Sequence, residues 1–389
     1  MSRIFTLVVL IAFALAMMFS LLLAVADYEF RRGTPESVAS ALRLLPGNTR
    51  YLGQRALQME YEDQDSAPLL EKAAALNPLS SAPRIRLGLL AEARGDRAGA
   101  EKWLLDAAHV DHQFEPAWTL ANFYFRQGAG EKQGDDYGNQ FWQWMHTALD
   151  VSYGDRRPAF DLCWRVAGDP QQILDRAVPP NREVLAPYLS YLLDQHRDAV
   201  GPAALKLASV KAPEDTPVLE AASDALIDAG KTAQAQELWK QLGHGGRGLL
   251  TNGDFSAEPR GHGFDWRPQQ PGGVTHLHLT SPAGHRIIFS GKQPEVCDLL
   301  REFVVLRSGK RYRLKWESRT AKLQSPTGIQ WNAGTTDIPV EKSDDWRAGT
   351  AVWTAPSDLA SLTLRYRRPT GQSRAEGSIE IRNVELTPE

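Results

Sequence analysis

At 389 residues the chain exceeds the usual ceiling for one hydrophobic core, so two folded domains plus a targeting segment are expected. A formal net charge of −3 leaves no whole-chain electrostatic footprint for nucleic acid; the acid excess falls early, and a basic excess lies beyond Leu249. Cys163 and Cys297 fall in what read as different domains, so no structural disulfide is expected and both read as buried apolar thiols.

Ile4 to Ala26 is an unbroken apolar run behind Arg3, long enough to cross a hydrocarbon core as a helix of about 20 residues. Ala24-Val25-Ala26 is a small-x-small cleavage site, yet the run exceeds a signal-peptide core, so residues 1–33 read as an uncleaved membrane anchor. Arg3 on one flank competes with Arg31 and Arg32 on the other, and charge alone leaves the orientation open.

Residues 34–242 carry a helical period. In the stretch from Ser81 to Phe114, Leu87-Gly88 and Ala91 share a first helix, Gly95-Asp96 make the turn, and Ala100, Leu104 and Ala107 recur on a second helix. Leu70 and Ala73 stand one period earlier, Trp118, Ala121 and Phe125 continue the stripe, and Ala222, Leu226, Gly230, Ala235 and Trp239 restore it near the end. The period is about 34 residues, and the pattern resembles a tetratricopeptide repeat, which implies an α-solenoid of about five to six helical pairs. Gly128 to Gly138 interrupts it as a lengthened polar loop. The resemblance also implies a concave face for a protein partner, where Tyr51, Arg55, Leu89, Phe123 and Arg126 are the groove candidates.

Gly243 to Gly248, GHGGRG, contains a GxGxxG string, but a helix precedes it and an extended segment follows, the reverse of a dinucleotide site, so residues 243–248 read as a linker. From 249 to 389 the period becomes alternating: short strands such as VTHLHLT, KRYRLKWESRT and SLTLRYRRP are separated by Gly, Pro and Asp turns, the pattern of an all-β sandwich. NGDF at Asn252 to Phe255, GFDW at Gly263 to Trp266, SGKRYRLKW, WTAP and the closing IEIRNVEL together resemble a galactose-binding-like carbohydrate-binding module with a jelly-roll fold. That resemblance implies a calcium site at the opening turn and the last strand. Here Ser256 stands where a glutamate is usual and Asn383 where an aspartate is common, leaving Asp254 as the nearby carboxylate, so calcium is disfavoured and no cofactor or metal is expected.

Alternation puts Tyr312, Leu314 and Trp316 on one strand face and Arg311, Arg313 and Lys315 on the other; Leu362, Leu364 and Tyr366 likewise oppose Arg365 and Arg367. A basic stripe suited to an anionic polysaccharide is the expectation, with a solvated outer face as the alternative. Trp266, Trp331 and Trp346, near turns or on short strands, are the sugar-stacking candidates, whereas Trp316 and Trp353 read as core. His276 with His278, and His109 with His112, lack further ligands at metal spacing and read as surface pairs. No nucleophile elbow, phosphate loop or zinc-peptidase motif is present. The whole layout resembles bacterial repeat proteins of the cell envelope and of exopolysaccharide assembly. That resemblance implies a single-pass inner-membrane protein with its body on the periplasmic side, binding a protein partner and glycan and catalysing no reaction. A purely structural scaffold and a carbohydrate-active enzyme are the alternatives.

Overall fold

The computed structural model describes residues 2–129, 136–244, 248–334 and 336–389. Residues 130–135 of the lengthened loop and residues 245–247 of the glycine-rich linker lie outside them. The chain forms two compact units, Met1–Pro179 and Pro180–Glu389, so the division falls within the helical stretch.

The first unit is helical: α1 Ser2–Arg32, α2 Pro35–Leu44, α3 Thr49–Tyr61, α4 Ala67–Leu76, α5 Ala82–Ala93, α6 Arg97–Val110, α7 Phe114–Tyr124, α8 Asp136–Val151, α9 Arg157–Val166 and α10 Pro170–Arg176. The starts are written in the sequence. Thr34, Asn48, Asp96 and Asp169 each accept a first-turn N–H, and Pro35, Pro68, Pro83 and Pro158 occupy first-turn sites where a proline loses no hydrogen bond. From α1 to α8, each helix packs on its chain neighbour. Gly88 permits the α5–α6 approach, since a methyl there would sit 2.6 Å from the Leu104 side chain. Arg126 of the segment after α7 pairs with Glu92 of α5, at 2.7 and 2.8 Å.

Among the described residues one helix, α1, is long and apolar enough to cross a membrane, which is compatible with a single-pass anchor or a signal sequence. Its apolar side chains are exposed from Phe5 to Leu21. Further along, Ala26 is buried with Ala41 and Tyr51, and the Phe30 ring stacks on Tyr51 at 4.6 Å.

The second unit opens with α11 Arg182–Gln195, α12 Gly201–Val210, α13 Thr216–Asp228 and α14 Thr232–Gln241. Ten strands follow: β1 Arg267–Pro268, β2 Val274–Thr280, β3 Ala283–Ser290, β4 Val296–Val305, β5 Arg311–Ala321, β6 Ile329–Ala333, β7 Thr336–Pro339, β8 Arg347–Thr354, β9 Leu359–Arg367 and β10 Glu376–Pro388. They make two five-stranded antiparallel sheets, ordered β1-β4-β9-β6-β7 and β2-β3-β10-β5-β8. Between them lies a core of alternating inward residues that includes Leu314, Trp316, Ile329, Leu362, Leu364, Tyr366, Ile379 and Ile381.

The helices of this unit seat directly on the sandwich. The Asp224 carboxylate on α13 accepts the Gly263 N–H at 2.7 Å and the Arg267 guanidinium at 2.6 Å, and lies 2.6 Å from Nδ1 of His262. Trp239 of α14 packs edge-on against Phe264, with Gly263 at positive φ beneath it and no room there for a Cβ. Replacing Asp224 by alanine strands a largely buried guanidinium, so Asp224→Ala is expected to lower the stability of this unit by about 2–4 kcal/mol, read as the urea midpoint. An unchanged midpoint would show that the seat carries no energy.

Candidate functional site

The residues expected to form one basic stripe lie on opposite faces of the sandwich. Arg311, Arg313 and Lys315 are on the outer face of the β2-β3-β10-β5-β8 sheet, whereas Arg365 and Arg367 belong to β9 of the other sheet. The two arginines of the β5 stripe are also neutralised across strands, while Lys315 stays exposed. Glu389 takes Arg311 at 2.7 Å and Arg313 at 2.8 Å, Glu380 takes Arg286 and Arg319, and Glu317 takes Arg382. The Arg382 hydrogen bond holds the Glu317 carboxyl below the usual range. At Glu380 burial acts upward, but Arg319 and Arg286 outweigh it. Trp346 lies half-buried on this face with its ring already engaged, the Arg382 guanidinium 4.0 Å and the Arg319 guanidinium 5.0 Å from its centroid.

Trp266 and Trp331, expected as stacking platforms, are fully buried. On β6 the alternation sends Ile329, Trp331 and Ala333 inward, and Trp331 lies opposite Leu364 in the register. Trp266 stacks on Phe255 at 5.4 Å and meets Trp331 at 5.9 Å, so both rings form the centre of the core. The groove candidates on the helices divide in the same way. Tyr51 and Phe123 are buried, Arg55 faces Glu62 at 3.7 Å, Arg126 is held by Glu92, and Leu89 is exposed.

The outer face of the β1-β4-β9-β6-β7 sheet has a different character. At its centre the Asp298 carboxylate is held between Arg365 at 2.6 Å and Arg301 at 2.6 Å. Burial works to raise the Asp298 pKa, but the two guanidiniums outweigh it and keep the group ionised. Gln330 lies directly across from Arg365, and Asn332 from Thr363. The Asn332 amide donates to Asp337 at 2.7 Å, and the Ser361 and Thr363 hydroxyls are 2.9 Å apart. At the β1 side the Arg267 guanidinium lies over the Phe303 ring at 4.8 Å. The Asn332 amide, the Ser361 and Thr363 hydroxyls, the Asp298 carboxylate and two guanidiniums are thus held by neighbours on a partly exposed sheet face, while the Gln330 Nε2 is buried there without a partner. Such a lattice can meet the vicinal hydroxyls of a sugar with little ordering cost. No single strand reveals it; the signal lay in DLLREF, GIQWNA and SLTLRY read together, once their register is known.

Two buried groups lie apart from this surface. Burial raises the Glu302 carboxyl well above its ordinary range, against the hydrogen bond it accepts from the Thr251 N–H, and it raises the neighbouring Asp265 as well. His285, which the sequence reading did not single out, is buried with Nε2 2.9 Å from Nδ1 of His276, whose Nε2 meets the Gln269 carbonyl at 2.6 Å. His276 and His278, expected at the surface, are half-buried and bonded to backbone carbonyls.

At the implied calcium position the turn satisfies itself. The Asn252 side chain bonds Ala257 in both directions, Asp254 accepts the Ser256 N–H, and Val384 donates to the Gly253 carbonyl. One committed carboxylate with neutral neighbours does not fit a cation wanting six or more oxygens. Among the described residues no group of three or more His, Cys, Asp or Glu is placed to hold a metal.

No family model and no curated protein matches this chain. Among the solved structures similar to the C-terminal β region are carbohydrate-binding modules and, at 12% identity and a TM-score of 0.28 over 36% of this chain and 21% of that one, the enzymatically active domain of bacteriophage CBA120 tailspike protein 4. A CBM4 module shares 14% identity with a TM-score of 0.27, over 36% of this chain and 99% of that one. TmCBM61, solved with β-1,4-galactotriose, shares 15% identity with a TM-score of 0.25, over 37% of this chain and 100% of that one. The CBM22-1 xylan-binding domain of Paenibacillus barcinonensis Xyn10C shares 10% identity with a TM-score of 0.23, over 32% of this chain and 85% of that one.

Proposed function

We propose that this chain is a membrane-anchored binding protein that holds glycan on the polar face of its β1-β4-β9-β6-β7 sheet. The observation that carries the reading is the Asp298–Arg301–Arg365 lattice with Gln330 and Asn332 beside it, a prearranged polar surface whose charged side chains are partly exposed. In this reading α1 stays in the bacterial inner membrane, the body lies on the periplasmic side, and the helices act as tetratricopeptide-like repeats that dock a protein of envelope or exopolysaccharide assembly. Two modest contacts on one chain raise the effective concentration of each partner at the membrane, and no bond is made or broken.

The test is binding of the full chain in detergent to a glycan array. Gln330→Ala combined with Asn332→Ala removes two half-buried amides of the outer face and leaves the inward residues Ile329, Trp331 and Ala333 in place. It is expected to weaken binding of any captured glycan roughly tenfold to a hundredfold, with the unfolding midpoint unchanged. A silent array, or full affinity in the double variant, would sink the reading. A second reading, a scaffold whose sandwich only caps the helices, is favoured by the Asp224 seat and is the one a silent array would leave.

A further inference from the structure

The arginines of the two flat faces are mostly spent on carboxylates, but the loop end of the sandwich carries cations that are not. Three adjoining cavities of about 220, 510 and 620 Å³ open there, formed by the β5–β6, β7–β8 and β9–β10 connections and the strand ends beside them. Lys322 lines the first and third, Arg374 the first, and Lys342 and Arg367 the second. All four are exposed, and among the described residues none has a carboxylate within ion-pair distance. The acids nearby are fewer: Glu341 is taken by Arg347 at 2.6 Å and Glu295 by Arg368 at 3.0 Å, which leaves Glu376, lining the first and third cavities, as the one carboxylate among these set against four cations.

This end is also rigidly built. Gln372 donates to the Ser325 carbonyl at 3.0 Å, Gln293, itself fully buried, donates to the Ala375 carbonyl at 2.9 Å, and the Ala375 N–H reaches the Tyr366 hydroxyl at 3.0 Å. Three connections are therefore laced into one floor beneath the cations. Gln330 lines the middle cavity and also stands on the polar sheet face beside Arg365, so the two surfaces run into each other.

We propose that this loop-end groove binds the anionic groups of an acidic polysaccharide whose chain lies on the adjoining sheet face. The inference rests on the glycan-binding reading for the polymer and adds its charge. An unpaired lysine or arginine accepts a carboxylate or sulfate without first breaking an internal bridge, which the arginines of β5 must do. The groove asks for anions spaced along a chain, since its cations are spread over three connected hollows.

The experiment compares polygalacturonate oligomers with the same oligomers methyl-esterified, titrated into the full chain in detergent, with inorganic polyphosphate of similar length as a pure charge control. The acid form is expected to bind at least about tenfold more tightly than the ester at low salt, with the preference shrinking as salt is raised and polyphosphate binding more weakly than the acid form. Lys322→Glu with Arg374→Glu should abolish the preference and leave the affinity for the ester and the unfolding midpoint in place; Lys322→Gln with Arg374→Gln serves if charge reversal impairs folding. Equal binding of acid and ester, or a preference that survives both double variants, overturns the groove and leaves the glycan reading standing. Binding of neither form overturns the groove, and with a silent glycan array it overturns both readings; polyphosphate binding as tight as the uronate overturns the sugar assignment.

Discussion

Trp331→Ala is expected to destabilise the sandwich by about 3–5 kcal/mol, a large part of the stability of a domain this size, and to do so with or without any ligand present. The ring is fully buried, lies opposite Leu364, and joins Trp266 on one side to Trp316 on the other, at 5.9 and 6.2 Å. Removing it opens a cavity where both sheets meet, which neighbouring strands cannot fill without shifting register. Trp346→Ala, which removes a half-buried ring from above two guanidiniums, is expected to cost about 1 kcal/mol or less. Urea unfolding followed by tryptophan fluorescence and far-UV dichroism separates the two. A Trp331→Ala protein that melts like the parent but loses glycan would return this residue to the surface.

The second large effect is on pH. The Gln269 carbonyl can only accept, so His276 donates from Nε2 and presents a bare Nδ1, which must receive the proton on Nε2 of His285. Burial, with the neighbouring His276 and His278 adding to it, pushes the His285 pKa down to about 3, and burial lowers His276 as well. Both rings are neutral in the fold, while the unfolded chain takes up protons near pH 6.5. The resulting stability is therefore complete above pH 6.5 and is lost as pH falls toward 3. At about 1.4 kcal/mol per pH unit, His285 alone carries about 4–5 kcal/mol over that interval. Glu302 and Asp265 act in the opposite sense: their raised carboxyls favour the fold at low pH and weaken it as pH rises through their folded values. Urea midpoints between pH 4.5 and 7.5 should fall steeply on the acid side in the parent. They should fall less in His285→Gln, which keeps a donor toward His276 but does not titrate. An identical slope in both proteins would remove His285 as the cause.

The architecture was legible wherever one element's own periodicity decided it. The helix starts at Thr34, Asn48 and Asp96, the Gly88–Leu104 contact, and the alternation of Tyr312, Leu314 and Trp316 all follow from local spacing. The candidate site was not legible, because it depends on register between strands far apart in the chain. Read alone, β5 shows a row of cations; in the sheet, β10 brings Glu380 beside Arg319 and Glu389 to Arg311 and Arg313. Trp331 misled for a related reason. A five-residue strand gives too few alternations to show which side faces a partner sheet, and only the pairing with β9 turns its odd positions inward. The helical stretch likewise gave no sign that its last members would group with the sandwich, since the Asp224 contacts reach residues about 40 positions away.

Because Ala26 is buried against Ala41 and Tyr51 and the half-buried Phe30 stacks on Tyr51, α1 has no swivel where its apolar length meets α2 and α3. If residues 5–23 lie in a bilayer, leaning or turning that helix carries the adjoining layer with it, as a mast carries its collar. A cut after Ala26 would take that residue out of its cluster and leave Ala41 and Tyr51 short of a neighbour. At that junction the helix is a stiff post, where a leash would let the same layer wander.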